Sequence, residues 1–186
     1  MTYDNAKELI EVGAEDLKGS ESLILHLMKM ALETFVTETD ILRDLTDITL
    51  VSRTVSFNIP TGTKVIYWVK CYKADGEESK EVKYSILDGK INFFDRFGNV
   101  ITAMPSEIAS IKVYRSCKPS AISLTDTIQI PDEFQMAIVH WVLHKYHLMK
   151  GRTQASYPNL KEYEKLVSMA KRQANTQQDL TTYNIG

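Results

Sequence analysis

Hydrophobic positions follow a helical period at both ends of the chain and alternate with polar ones in the middle. Residues 4 to 18 set Ala6, Leu9, Ile10 and Leu17 on one stripe, with Thr2 or Asp4 available as a cap and Gly19 as a stop. Ser20 or Ser22 opens a second helix that runs to about Glu38. At about 100° per residue, Ser22, His26, Lys29, Glu33 and Thr37 fall on one narrow polar stripe. Apolar residues from Leu23 to Val36 fill the other directions, so this helix is expected to lie at the centre of a core. Thr39 and Asp40 read as a new cap for a short turn, Ile41 to Leu45.

From Thr46 the period changes to two. Val51, Val55, Phe57 and Ile59 alternate in part, Pro60-Thr61-Gly62-Thr63 turns, and Val65 to Tyr72 reads as a strand. Val82, Tyr84 and Ile86 alternate cleanly, and Asp88-Gly89 joins them to Ile91-Asn92-Phe93-Phe94, the strongest hairpin signal in the chain. Ile108 to Ser116 adds another strand and Ile128-Gln129-Ile130 closes the β region, giving five to seven short antiparallel strands. Pro131-Asp132-Glu133 then opens a helix to about Lys150, with proline and acids in its favoured first turn. Gly151 ends it. Pro158 starts a last helix whose face carries Leu160, Tyr163, Leu166, Val167, Ala170 and Ala174. Asn175 to Gly186 is polar and without period, and reads as an extended arm.

Neither pair of helices is long enough to bury its apolar faces alone. The expected architecture is therefore α+β: a four-helix bundle-like domain built from residues 1–45 and 131–174, interrupted by an antiparallel β insertion at 46–130 and followed by an arm at 175–186.

Composition adjusts this picture only slightly. The 186 residues are 44% hydrophobic and 25% charged, enough for one domain with an insertion and a core that needs no staples. A net charge of −2 supplies no basic field, which argues against tight nucleic-acid wrapping while leaving proximity to DNA open. Cys71 and Cys117 fall in strands and read as reduced, half-buried thiols. The acidic start, MTYDNAKELIEVGAEDLKG, is not a signal peptide, and no apolar run approaches about 18 residues, so synthesis is expected to be intracellular.

Catalytic templates are missing: no GxxxxGK[ST], GxGxxG, HExxH or GxSxG occurs, and no cofactor motif is present. The chain is therefore expected to be non-enzymatic. Two constellations hold candidate chemistry. His140, His144 and His147 share a narrow sector of the helix after Pro131, near Glu133, a spacing that suits a metal site or a subunit contact. A fourth ligand is not evident, and a polar stripe on an apolar helix explains the pattern as well. Tyr67, Trp68, Tyr72, Tyr84, Phe93 and Phe94 lie among Lys64, Lys70, Lys73, Lys80 and Lys83, which would suit a single-stranded nucleic-acid module. Asp75, Glu77, Glu78 and Glu81 in the same segment cancel that field.

One longer stretch, EIASIKVYRSCKPSAISLTDTIQIPDEFQMAIVHWVLHKYHLMKG, has a strand ending near a tyrosine, a proline-containing link, an Ile-Pro step and a long aromatic helix. It resembles the head–tail adaptor proteins of short-tailed phages. TVSFNIPTGTKVIYWVKCYKADGEE, KYSILDGKINFF and SLILHLMKMALETFV are similar to that family's first β segment, following hairpin and core helix. The chain departs at His144 and His147, where the family commonly carries small residues and acids. The resemblance covers about residues 5 to 175. It implies a virion protein, made in the host cytoplasm, that forms a closed ring of often twelve copies. The implied partners are the portal, the tail nozzle or other tail rings, and the genomic DNA passing through without specific binding. It further implies that the C-terminal arm, with Asn175, Leu180, Tyr183 and Ile185, docks against the portal. Cell-wall hydrolysis, credited to some members, finds no supporting residues here.

Overall fold

A computed structural model describes residues 1–50, 53–120 and 123–183 of the chain. They form two compact units: Met1–Leu42 with Pro119–Gly186, and Arg43–Lys118. The fold is α+β, as the periodicities predict.

Helix α1 spans Tyr3–Gly13. Thr2 caps it: its hydroxyl accepts from the Asn5 N–H, while the Asn5 side chain accepts from the Thr2 N–H. The single helix expected over 4–18 breaks at Ala14, just after Gly13, and Glu15–Leu17 forms a separate 3-10 turn. Glycine is a poor helix former, and any Cβ at Gly13 would press to 2.8 Å from the Leu143 methyls. Helix α2, Glu21–Thr39, exposes the whole predicted polar stripe and buries Ile24, Leu27, Met28, Ala31, Leu32, Phe35 and Val36. Asp40, with φ at 55°, ends it. Asp40 therefore closes α2 and does not open the expected turn. The residues read as that turn instead enter strand β1, Arg43–Thr49.

Pro131 leads through a 3-10 turn, Asp132–Phe134, into α3, Met136–Met149. Ile128 and Ile130, read as the last strand, belong to no sheet. Their carbonyls are taken by the buried Gln135 side-chain amide at 3.3 and 3.1 Å, and their side chains join the helical core. The N-terminal amine donates to the oxygen of the same Gln135 at 2.6 Å, tying the start of the chain to the start of α3. Helix α4, Thr153–Tyr183, begins before Pro158 and contains it. Pro158, sixth in the helix, forfeits the bond to the Gln154 carbonyl and crowds that carbonyl with its ring. Residues 175–183 continue this helix. The stretch expected to be extended is thus helical as far as Tyr183, and Asn184–Gly186 lie outside the described residues.

Helix α3 contacts the other three helices. Phe35 of α2 is the meeting point, its ring 6.1 Å from Phe134 and 6.2 Å from Tyr163. Among the described residues no helix is long and apolar enough to cross a membrane.

Among the described residues the β unit holds seven strands in two antiparallel sheets. β1, β3 (Thr63–Lys73), β4 (Glu78–Ser79) and β7 (Ile108–Cys117) form one, in the order β1-β7-β3-β4. β2 (Ser56–Asn58), β5 (Val82–Leu87) and β6 (Lys90–Asp95) form the other, in the order β2-β6-β5. The predicted Asp88-Gly89 turn joins β5 to β6 with both residues at positive φ, 51° and 71°, as a two-residue hairpin of matching twist requires. β1 and β7 pair from Arg43 opposite Ser116 to Thr49 opposite Ser110, so the strands by which the chain enters and leaves this unit are neighbours. Val69, Cys71, Ile91, Phe93, Ile111 and Val113, drawn from both sheets, share one apolar cluster. The segment around Val51 and Ser52, read as part of a strand, lies outside the described residues.

Arg115 organises one end of this unit. Its guanidinium donates to Asp44 (2.9 Å), Thr46 (3.0 Å), the Thr61 carbonyl (2.8 Å) and the Thr63 hydroxyl (2.9 Å), with only 12% of the side chain exposed. A planar fork of five donors suits such a hub, and a lysine would not.

Candidate interaction surfaces

The three histidines of α3 do not converge. His144 Nδ1 lies 2.7 Å from the Ser156 hydroxyl, which itself donates to the His144 carbonyl at 3.1 Å. His140 Nδ1 pairs with the Asn159 amide oxygen at 3.1 Å. Both rings thus stitch α3 to the first turns of α4. His147 is buried, with its ring against Tyr146 and its Nδ1 without a partner among the described residues. Glu133, the nearby acid, accepts from Gln173 of α4 at 3.1 Å. Among the described residues no group of three or more His, Cys, Asp or Glu is placed to hold a metal.

Beside this seam an open cleft of about 420 Å³ is lined by Glu38, Tyr163, Glu164, Val167, Ser168 and Lys171. The Tyr163 hydroxyl donates to Glu38 at 3.1 Å. Burial, reinforced by the Glu38 charge, pushes the Tyr163 phenol up. It stays protonated and cannot serve as a base or nucleophile near neutral pH.

The aromatic strand residues separate into two groups. Tyr67 and Trp68 gather on Tyr114 of β7, at 5.3 and 5.4 Å between centroids. Cations lie over these rings: Arg43 is 4.9 Å from Tyr67, Lys70 is 5.3 Å from Trp68 and Lys112 is 5.1 Å from Tyr72. Phe93 and Tyr84 instead face the shared core, where Phe93 meets Phe57 edge-on at 6.0 Å. Tyr72 and Tyr114 are buried, and Lys70 is paired to Glu78 at 2.7 Å. A base-stacking platform needs open faces and unpaired cations, and this cluster has its rings and charges turned to one another. Tyr114 and Arg115 escaped the sequence reading because their partners come from strand pairing across some fifty to seventy residues of chain.

Two features face outward more plainly. After β6, the Asp95 carboxylate accepts from the N–H groups of Phe97 (2.9 Å) and Asn99 (2.8 Å) and from the Asn99 side chain (2.8 Å). These bonds, the Asn99 side chain foremost, hold the carboxyl below its usual range and fix a turn that presents Phe97 and Val100 at 75% and 79% exposure. At the end of the helical unit, Asn175 is exposed on α4, and Leu180 and Tyr183 lie on its last turns. Ile185 lies outside the described residues.

Comparison with known proteins returns one family: the model for the SU10 adaptor protein family matches residues 1–184. No curated protein matches the chain.

Proposed function

The chain belongs to the SU10 adaptor protein family, and on that premise we propose that it is a ring subunit joining the portal vertex to the tail around the DNA exit channel. A structural adaptor role in the phage virion follows from the family, in agreement with the resemblance the sequence carries. The ring, the portal contact and the neck position are our reading. The observation that carries it is the match over residues 1–184, nearly the whole chain.

The surfaces are consistent with this role. The histidines serve helix packing, the aromatic cluster is turned inward, and the Tyr163 phenol beside Glu38 is held protonated. A subunit of a closed ring needs heterologous contacts and no reactive cleft. The net charge of −2 lets DNA pass without being held by counterion release. In this reading the copies number about twelve, the subunit is non-catalytic, and the end of α4 with the residues after it docks on the portal.

Negative-stain microscopy of the purified chain, alone and with portal, tests the proposal. Rings, or a cap of added density under the portal, are expected. A chain that neither forms rings nor binds portal at any salt concentration refutes it. Truncation after Arg172 separates the docking element from the ring: the shortened chain should fold and lose portal binding, and unchanged binding refutes the role of the C-terminal end.

A further inference from the structure

The three-stranded sheet has two open edges, and the backbone register shows which groups they offer. In an antiparallel ladder, opposed residues alternate between pairs that exchange both hydrogen bonds and pairs that exchange none. The Phe93 N–H donates to the Val55 carbonyl (3.0 Å) and the Ile59 N–H to the Gly89 carbonyl (3.2 Å), which assigns the odd-numbered residues beside β6 to bonding. Ser56 and Asn58 of β2 therefore turn their N–H and C=O groups away from β6. Ile91 and Phe93 face β2, so β6 bonds β5 through Asn92 and Phe94, opposite Ser85 and Lys83. That leaves the backbone groups of Tyr84 and Ile86 pointing outward from β5. Among the described residues no other backbone hydrogen bond reaches these four outward positions.

The two edges are also level. Phe57 of β2 and Ile86 of β5 both lie opposite Ile91, so the open ends sit in the same row of the sheet. Neither edge is guarded in the way β1 is, where Arg43, Asp44 and Asp47 line the strand. β2 carries no charge, β5 carries only Lys83, and Ile86 and Leu87 are 47% and 63% exposed.

We propose that the β5 edge of one copy of this chain pairs with the β2 edge of the next, continuing the three-stranded sheet from subunit to subunit. A lateral shift of three strand spacings, about 14 Å, brings Ser56–Asn58 of one copy beside Ser85–Leu87 of its neighbour with no lengthwise offset. The two strands then run parallel, and each copy has one edge of each kind. Such a contact is heterologous and closes into a ring when the rotation per subunit divides a full turn. This names the contact within the ring proposed above and rests on that reading.

Proline at an outward N–H removes one donor to the neighbour while sparing the bonds to β6. Ile86→Pro and Ser56→Pro block the two edges separately, and circular dichroism with thermal melting confirms that each folds. Ile86→Lys and Asn58→Lys replace them if a proline variant does not. Mass photometry, alone and in the presence of portal, reads the assembly state. The parent should assemble, each variant should stay monomeric, and an equimolar mixture of the two should give heterodimers and nothing larger. If both variants assemble like the parent, the edge contact is wrong and the ring stands. If only Ile86→Pro fails while Ser56→Pro assembles, β5 pairs with itself and the proposed contact is overturned. A parent that never assembles, with or without portal, removes the ring and the contact together.

Discussion

Removing one buried hydroxyl, Ser156→Ala, distinguishes a helix seam from a metal site. The hydroxyl lies 2.7 Å from His144 Nδ1 and 3.1 Å from the His144 carbonyl, and Ser156 is 2% exposed, so water does not replace it. The carbonyl keeps its helical partner within α3, and the imidazole nitrogen suffers most, keeping only the long contact to the Ser156 carbonyl at 3.4 Å. Stranding a buried donor costs about 1–3 kcal/mol, and His144 is only partly buried, so about 1.5 kcal/mol is expected. His144→Ala loses the same bond but gains about 0.5 kcal/mol of helix propensity, for a net loss of about 1 kcal/mol. The double variant loses the bond only once. Urea unfolding of the four proteins should therefore give a coupling energy of about 1.5 kcal/mol, and a value under about 0.3 kcal/mol refutes the seam. Zinc supplies the counter-test. A ligand at a hundred times its dissociation constant would stabilise the parent by about 2.7 kcal/mol. We expect no zinc-dependent shift, and one abolished by His144→Ala would restore the metal reading.

Phe35→Ala should cost about 3–5 kcal/mol in urea unfolding, because a fully buried ring in contact with Phe134 and Tyr163 leaves a cavity; under about 2 kcal/mol contradicts the packing. Asp44 is held below the usual carboxylate range by the Thr46 hydroxyl and then by Arg115, so the native state favours its ionised form. Its contribution is present above the unfolded value of about 3.9 and fades as pH falls through and below it. The stability gap between the parent and Asp44→Asn should follow that course, and a gap independent of pH between neutral and strongly acidic solution contradicts it. Burial pushes the Cys71 thiol up to about 12, with Glu78 adding to it, while half-buried Cys117 is raised by burial as well. An alkylating reagent near pH 8 should label native Cys117 before Cys71, and both once unfolded; equal native rates would contradict the burial.

What the sequence disclosed, and what it hid, follows from the range of the interactions. α2 was legible because its polar stripe is a local period, and the β5–β6 hairpin because Asp88-Gly89 suits a turn that needs two positive φ angles. β1 was misread because Arg43, Asp44 and Asp47 make an unpromising strand until β7 pairs with it and Arg115 takes up the charge of Asp44. Pro158 looked like a helix start because proline usually stands there, whereas Ser156, anchored to His144, already belongs to the helix. The continuation to Tyr183 was hidden because residues 175–183 show no apolar stripe. Among the candidate residues, the three histidines share one helix, α3, as their spacing suggested. What His140 meets was decided by α4, nineteen residues away in the His140–Asn159 pair.

The pairing of Arg43 with Ser116 has a consequence for how this chain can fold and vary. Closing a flexible loop of about 75 residues costs the helices roughly 2–3 kcal/mol more than a loop of about four, since the entropy grows as (3/2)RT ln n. Once β1 and β7 are zipped, the two ends of that loop are held at neighbouring strands and the extra cost disappears. The β unit thus behaves toward the helical core as a short turn, whatever its size. Its outer strands and loops can be lengthened, trimmed or exchanged for others while the helices keep their packing, provided the first and last strands remain partners.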